Sequence, residues 1–163
     1  MTEYKSRRIL FTGAAGGIGT MIRPLLAPLY PGLVLSDKVK PANLLPSETF
    51  VAADLSRLDE VVAAVKGAHS VIHLGGFSVE GPWDTILQAN IVGCYNMFEA
   101  ARQAGLKLCL LITSNDNVRA LAFYQKRGWR LTAGCLFPRD GRGYQPQGFP
   151  PSPAWITPTW PPR

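Results

Sequence analysis

Ile9-Leu10-Phe11-Thr12-Gly13-Ala14-Ala15-Gly16-Gly17-Ile18-Gly19 joins a short apolar run to a Gly-rich turn, and the turn leads into an amphipathic segment. The apolar triplet is a candidate for a buried strand. Behind the turn, Ile18, Met21, Ile22, Leu25 and Leu26 recur at helical spacing and form the stripe expected to pack. Pro24 sits inside that segment with no N–H to donate, which predicts a kink or an early stop. Glycines between a strand and a helix allow backbone N–H groups to close on an anion at the helix N-terminus, where the dipole favours negative charge. A GxxGxxG spacing is weak by itself, so its surroundings decide what it means.

Outward from this turn, short apolar runs alternate with longer amphipathic ones over the first 112 residues. Leu33-Val34-Leu35 reads as a second strand, ending at Ser36-Asp37, and Phe50-Val51-Ala52 as a third, ending at Asp54. Leu58, Val61, Val62 and Val65 outline a short helix that stops near Gly67. Val71-Ile72-His73-Leu74 is a fourth strand broken by Gly75-Gly76, with His73 read as a satisfied core residue. The spacing predicts one long helix from Trp83 to about Ala104, presenting Trp83, Leu87, Asn90, Ile91, Cys94, Phe98 and Ala101 on one face, with Gly105 as its stop. Leu108 to Ile112 is a fifth strand. Continuous apolar strands separated by helices predict a parallel α/β sheet covered on both faces. Its expected strand order is 3-2-1-4-5, incomplete on the C-terminal side, with a ligand at the strand ends beside the switch between strands one and four.

Asp37 stands at the end of the second strand, eighteen residues after Gly19. A carboxylate there can accept the hydroxyls of an adenosine ribose and repels a 2′-phosphate, which favours NAD over NADP, although Lys38 follows it directly. Asp37 also reads as an ordinary loop cap. The neighbouring glycines favour the cofactor reading.

Thr12 to Gly19, Asp37, Asp54-Leu55, His73-Leu74-Gly75-Gly76 and Asn90 together resemble the extended short-chain dehydrogenase/reductases, the NAD-dependent epimerase/dehydratase family with its Rossmann-like fold. Within that family the sequence looks most like the uronate dehydrogenases, which oxidise a hexuronate at C1 with NAD. Gly13 to Gly17 with Ile22-Arg23-Pro24, His73 to Glu80, Ile86 to Ile91 and Glu99 to Arg102 carry this closer likeness, over residues 7–114. The resemblance implies that Gly13, Gly16 and Gly19 cradle the pyrophosphate, that Ala15, Gly17 and Ile18 are cofactor-binding with them, and that Asp37 takes the ribose. It implies that Asp54 and Leu55 contact adenine, that Leu74, Gly75 and Gly76 line the wall beneath the cofactor, and that Asn90 is the family's structural helix asparagine. Ser114 falls at the family's catalytic Ser/Thr, and Ser78 and Asn115 would face a sugar-acid substrate.

Hydride transfer at a hydroxyl carbon needs a proton acceptor on the oxygen, and in this superfamily a Tyr serves with a Lys four residues later. Four residues after Tyr4, Tyr30, Tyr95, Tyr124 and Tyr144 stand Arg8, Val34, Glu99, Gly128 and Gly148. A second resemblance begins here: Thr113 to Trp129 looks like the late strand–helix element of GNAT-type N-acetyltransferases. It implies that Asn117 lies near coenzyme A and that Tyr124 acts as a proton donor. The Arg/Gln-x-x-Gly-x-Gly/Ala segment of that family does not occur upstream, and the stretch also reads as a plain amphipathic helix.

The expected organisation is an NAD-binding domain over 1–114, an additional helix and short strand over 115–135, and a poorly ordered Pro/Gly-rich tail over 136–163. The change of motifs at one place suggests a fusion, truncation or frameshift product. A non-catalytic dinucleotide-binding module is a further reading. The net charge of +6 is concentrated late: residues 1–112 hold ten Lys/Arg against nine Asp/Glu, and residues 113–163 hold seven against two. Such a basic tract reads as a solvated surface, so no nucleic-acid partner is expected. The three cysteines, Cys94, Cys109 and Cys135, form neither a disulfide framework nor a metal site. No apolar run is long enough to cross a membrane. The chain therefore reads as soluble and cytoplasmic, with a dinucleotide and a sugar acid as ligands. Relatives of this kind pair through long helices, so homo-oligomers are among the expected states.

Overall fold

The protein is described from a computed structural model, which covers residues 7–106, 118–127, 129–131 and 156–158. The chain divides into two compact units, Met1–Leu106 and Lys107–Arg163.

In the first unit, β1 (Ile9–Thr12) lies between β2 (Leu33–Asp37) and β4 (Ser70–His73), while β3 (Thr49–Ala52) flanks β2, and every pairing is parallel. The sheet order is β3-β2-β1-β4. The expected order is 3-2-1-4-5, and the segment expected as its fifth strand, Leu108 to Ile112, lies outside the described residues. Alternation along β1 and β2 separates two cores. Phe11, Leu33 and Leu35 face α1 (Gly17–Leu26), which contributes Ile22 and Leu26. Leu10 and Val34 face α2 (Leu58–Val65) and α4 (Gly93–Gln103), which contribute Val61, Ala64, Val65, Met97 and Ala100. Helices thus cover both faces of a parallel, Rossmann-like sheet, as the alternation of elements predicts.

Two predicted helix faces need correction. On α1, Ile18, Met21 and Leu25 are exposed by 61%, 67% and 69%, while Gly19 and Arg23 are buried. Gly19 sets this rotation. A Cβ on it would collide with the Gly13 carbonyl, so the glycine side of the helix is the one that can approach the turn closely. Pro24 does not break α1. The helix runs through it and ends two residues later.

The segment expected as one long helix begins as α3 (Trp83–Ile86), passes through a π-helical stretch, Leu87–Val92, and continues as α4. Trp83, Ile91 and Phe98 are exposed, and the buried residues of α4 are Gly93, Asn96, Met97 and Ala100. The wider π turn shifts the phase of the helix, so a stripe extrapolated from Trp83 at 3.6 residues per turn misses the buried face.

In the second unit, α5 (Val118–Gln125) carries an edge-to-face contact between Phe123 and Tyr124, and the Arg127 guanidinium sits 3.6 Å above the Phe123 ring centroid. β5 (Trp129–Leu131) pairs antiparallel with β6 (Ile156–Pro158). β6 falls within the expected tail over 136–163, whose other residues lie outside the described ones. Three residues are too short to show a period in sequence, although Ile and Thr favour extended backbone. Among the described residues no helix is long and apolar enough to cross a membrane.

Candidate functional site

The turn after β1 and the turn after β4 touch backbone to backbone. Gly13 adopts φ +72, and a Cβ there would come within 2.7 Å of the Leu74 carbonyl and the Gly75 nitrogen. Both the left-handed conformation and the lack of space require glycine. Gly16 precedes α1 without a side-chain cap, and no acidic residue occupies the first turn of the helix. The opening N–H groups of a helix have no acceptor within it, so this end is electropositive and open to an anion.

A cleft of about 770 Å³ lies along this edge of the sheet. Gly13, Ala15, Gly16, Gly17, Ile18 and Gly19 line one side of it, Asp37, Asp54 and Leu55 the strand-end side, and Leu74, Gly75, Gly76 and Ser78 the far wall. Asn90 stands behind that wall. Its Oδ1 accepts the Phe77 N–H at 2.7 Å, and its Nδ2 donates to the Phe77 carbonyl at 2.9 Å. Ser114 and Asn115 lie outside the described residues, as does Asn117 of the acetyltransferase-like segment.

Asp37 is tied into the glycine turn. Its Oδ2 accepts the Ala15 N–H at 2.9 Å and its Oδ1 the Lys38 N–H at 2.7 Å. The cap reading and the ligand reading are therefore compatible, since capping fixes the carboxylate at the cleft. Asp54 is held similarly. Ser56 donates to its Oδ1 from both the backbone N–H (2.9 Å) and the hydroxyl (2.8 Å), and Lys38 Nζ lies 2.8 Å from its Oδ2. The Lys38 ammonium and the Ser56 bonds outweigh partial burial and hold its carboxyl down at about 2. Glu60 of α2 accepts the Asp54 N–H at 2.8 Å, anchoring this corner to the helix.

Thr12, His73 and Asn96 also shape the site, and of these only Asn96 is not singled out by the sequence motifs. Thr12 Oγ1 lies 2.7 Å from His73 Nδ1 and accepts the Gly75 N–H at 3.3 Å, linking the ends of β1 and β4. Burial holds the His73 imidazole below its ordinary value of 6.5, and its bond to Thr12 makes it a satisfied residue. Asn96, 5% exposed, donates from Nδ2 to the Leu55 carbonyl at 2.8 Å and so fixes the cleft floor. The one available hint was a polar residue at the spacing of Gly93, Met97 and Ala100. A Cβ on Gly93 would approach Leu55 Cβ to 2.9 Å, so the glycine lets α4 lie directly on this loop.

The residues fit a dinucleotide on structural grounds. Backbone rather than side chains borders the cleft where added Cβ atoms would clash, an open helix terminus faces it, and a fixed carboxylate stands one strand away. Among the described residues, no group of three His, Cys, Asp or Glu side chains gathers in a metal-holding arrangement. Cys94 is half-buried, and burial pushes its thiol above 9.0, so it is poorly suited to nucleophilic work.

Comparison with known proteins agrees with this geometry. Residues 9–119 match the sequence profile of the NAD dependent epimerase/dehydratase family. The chain is 38% identical over 126 residues to a uronate dehydrogenase from Pseudomonas syringae pv. tomato, covering 77% of this chain and 45% of that protein. It is 43% identical over 112 residues to a uronate dehydrogenase from Agrobacterium fabrum, covering 69% of this chain and 42% of that protein. A crystal structure of a uronate dehydrogenase variant from Agrobacterium tumefaciens complexed with NAD superposes with a TM-score of 0.58 at 45% identity, covering 61% of this chain and 37% of that one. The match thus spans less than half the length of these relatives. The acetyltransferase resemblance over 113–131 draws no support from them.

Proposed function

Because the chain belongs to the NAD-dependent epimerase/dehydratase family, we propose that its cleft binds NAD and serves as the dinucleotide-binding portion of an oxidoreductase of uronate dehydrogenase type. The observation that carries this reading is the contact between the two turns. Gly13 touches the backbone of Leu74 and Gly75, leaving a cleft bordered by main chain at the open end of α1 with Asp37 fixed beside it.

In this reading the glycine turn, with Ala15 and Ile18, receives the pyrophosphate, and the helix terminus favours its charge. Asp37 accepts the ribose hydroxyls. Asp54 and Leu55 flank adenine, and Leu74, Gly75 and Gly76 form the wall, which Asn90 holds through Phe77. Ser78 sits on that wall where a sugar acid would approach, and Ser114 and Asn115 keep the roles that the family implies for them. Bound NAD would supply the hydride acceptor for oxidation of a hexuronate at C1. The hydroxyl proton must pass to a base, and no tyrosine in these 163 residues has a lysine four positions on.

The test is a thermal-shift series with NAD, NADP and acetyl-CoA on the full chain. A ligand selective for the folded state at 100 times its Kd stabilises by about 2.7 kcal/mol. NAD is expected to raise the Tm more than NADP, with acetyl-CoA inert. A folded protein whose melting is unmoved by millimolar NAD would refute the proposal, and stabilisation by acetyl-CoA alone would replace it with the acetyltransferase reading.

A further inference from the structure

β2 and β3 end side by side, with Asp37 opposite Ala52 in the ladder, so the residues just beyond the two strands meet across the cleft mouth. There Lys38 Nζ lies 2.8 Å from Asp54 Oδ2, and both residues line the cleft. The pair is asymmetric. Asp54 is 28% exposed and anchored through Oδ1 by Ser56, whereas the Lys38 side chain is 68% exposed. Any movement therefore belongs to the lysine, a hydrated point charge on a flexible stem.

Lys38 is also the neighbour of Asp37, whose carboxylate is pinned by the Ala15 and Lys38 N–H groups. The two side chains pull a dinucleotide in opposite directions. The Asp37 carboxylate favours ribose hydroxyls and repels a 2′-phosphate, while the Lys38 ammonium attracts one. With Asp54 included, the three side chains carry one net negative charge. Neutralising Asp54 would bring them to zero and free the ammonium.

We infer that Asp54 is a positioning residue for cofactor choice: as the counterion of Lys38 it holds the ammonium away from the ribose side of Asp37, so the cleft accepts a free 2′-hydroxyl and rejects a 2′-phosphate. The inference rests on the dinucleotide reading of the cleft. It differs from a role against adenine because it acts through Lys38 and concerns the ribose.

Isothermal titration of the full chain with NAD and with NADP tests it, using wild type, Asp54→Asn and Asp54→Asn/Lys38→Met. Asparagine keeps an Oδ1 acceptor for Ser56 and presents an uncharged NH2 to Lys38 in place of Oδ2. The NADP-to-NAD affinity ratio is expected to rise about twofold to fivefold in Asp54→Asn, the scale of one solvent-exposed charge contact. It should return to the wild-type ratio in the double variant. The gain should also shrink as salt is raised. A merely structural role for Asp54 would weaken both ligands together and leave the ratio flat. A flat ratio in Asp54→Asn, or a raised ratio that survives Lys38→Met, overturns the inference while NAD binding by wild type stands. Wild-type protein that binds neither dinucleotide overturns the inference and the proposed function together.

Discussion

Arg23 on α1 and Glu48 in the β2–β3 connection form a buried two-pronged ion pair, with Nε 3.0 Å from Oε1 and a terminal nitrogen 2.9 Å from Oε2. Their side chains are 6% and 0% exposed. The guanidinium also donates to the Asn43 carbonyl at 2.9 Å, and Glu48 accepts the Leu45 N–H at 2.9 Å. Asn43 has φ 56, a left-handed conformation that asparagine tolerates better than most residues. The pair therefore holds to α1 an irregular connection that begins at the cleft, with Lys38. Removing one partner of such a pair strands a buried charge, which costs about 3–5 kcal/mol. Glu48→Gln should lower the urea midpoint accordingly. Arg23→Met/Glu48→Leu should recover most of that loss, because an apolar pair leaves no stranded charge.

Gly13→Val should abolish stabilisation by NAD. The new side chain would meet the Leu74–Gly75 backbone and enter the cleft, and the required φ of +72 is strained for a β-branched residue. Circular dichroism establishes whether the variant is folded, and its thermal shift with NAD gives the answer. A folded Gly13→Val protein with the wild-type shift would remove the pyrophosphate site from this turn.

Asn96→Ala should cost about 1–3 kcal/mol, since the Leu55 carbonyl loses its donor against a buried helix face. Because Leu55 lines the cleft, NAD affinity should fall along with the chemical-denaturation midpoint. Loss of stability with unchanged NAD affinity would show that the Leu55 loop does not report to the site.

Acid should destabilise the fold partly through His73. Burial lowers its folded-state pKa below 6.5, so between that lowered value and 6.5 the unfolded chain binds more protons than the folded one. The contribution is complete above 6.5 and is lost as pH falls through the folded-state value. Ring-proton NMR titration should place the His73 transition below 6.5, and His73→Asn should flatten stability against pH in that window. A transition at or above 6.5 would contradict the burial argument.

The 163-residue chain should convert galacturonate or glucuronate with NAD at a negligible rate, because none of its tyrosines is paired with a lysine four residues later. NADH absorbance is the readout. Turnover at an ordinary enzymatic rate would mean that another group accepts the hydroxyl proton.

Much of the cleft's backbone geometry is legible in the sequence. The strand–turn–helix at 9–26, the glycine requirement at Gly13 and Gly19, the carboxylate at Asp37 and the second glycine turn at Gly75-Gly76 are local properties. Short-range periodicity, and backbone conformations open only to glycine, announce themselves in neighbouring residues. The side of each helix that meets the sheet was less legible. On α1 a close approach at Gly19 overrode the apolar stripe, and on the long helix the π turn at Leu87–Val92 shifted the phase.

Periodicity and turn chemistry alone specify an alternating parallel α/β chain with an anion-ready turn after its first strand. Folding chose the distant partners: Thr12 with His73, Arg23 with Glu48, Asn96 with Leu55, and Lys38 with Asp54. These pairs are separated by whole crossovers, and their members carry no mark of one another. Parallel strands must be joined through helices or long connections, so sheet order and register, rather than proximity along the chain, bring their ends together.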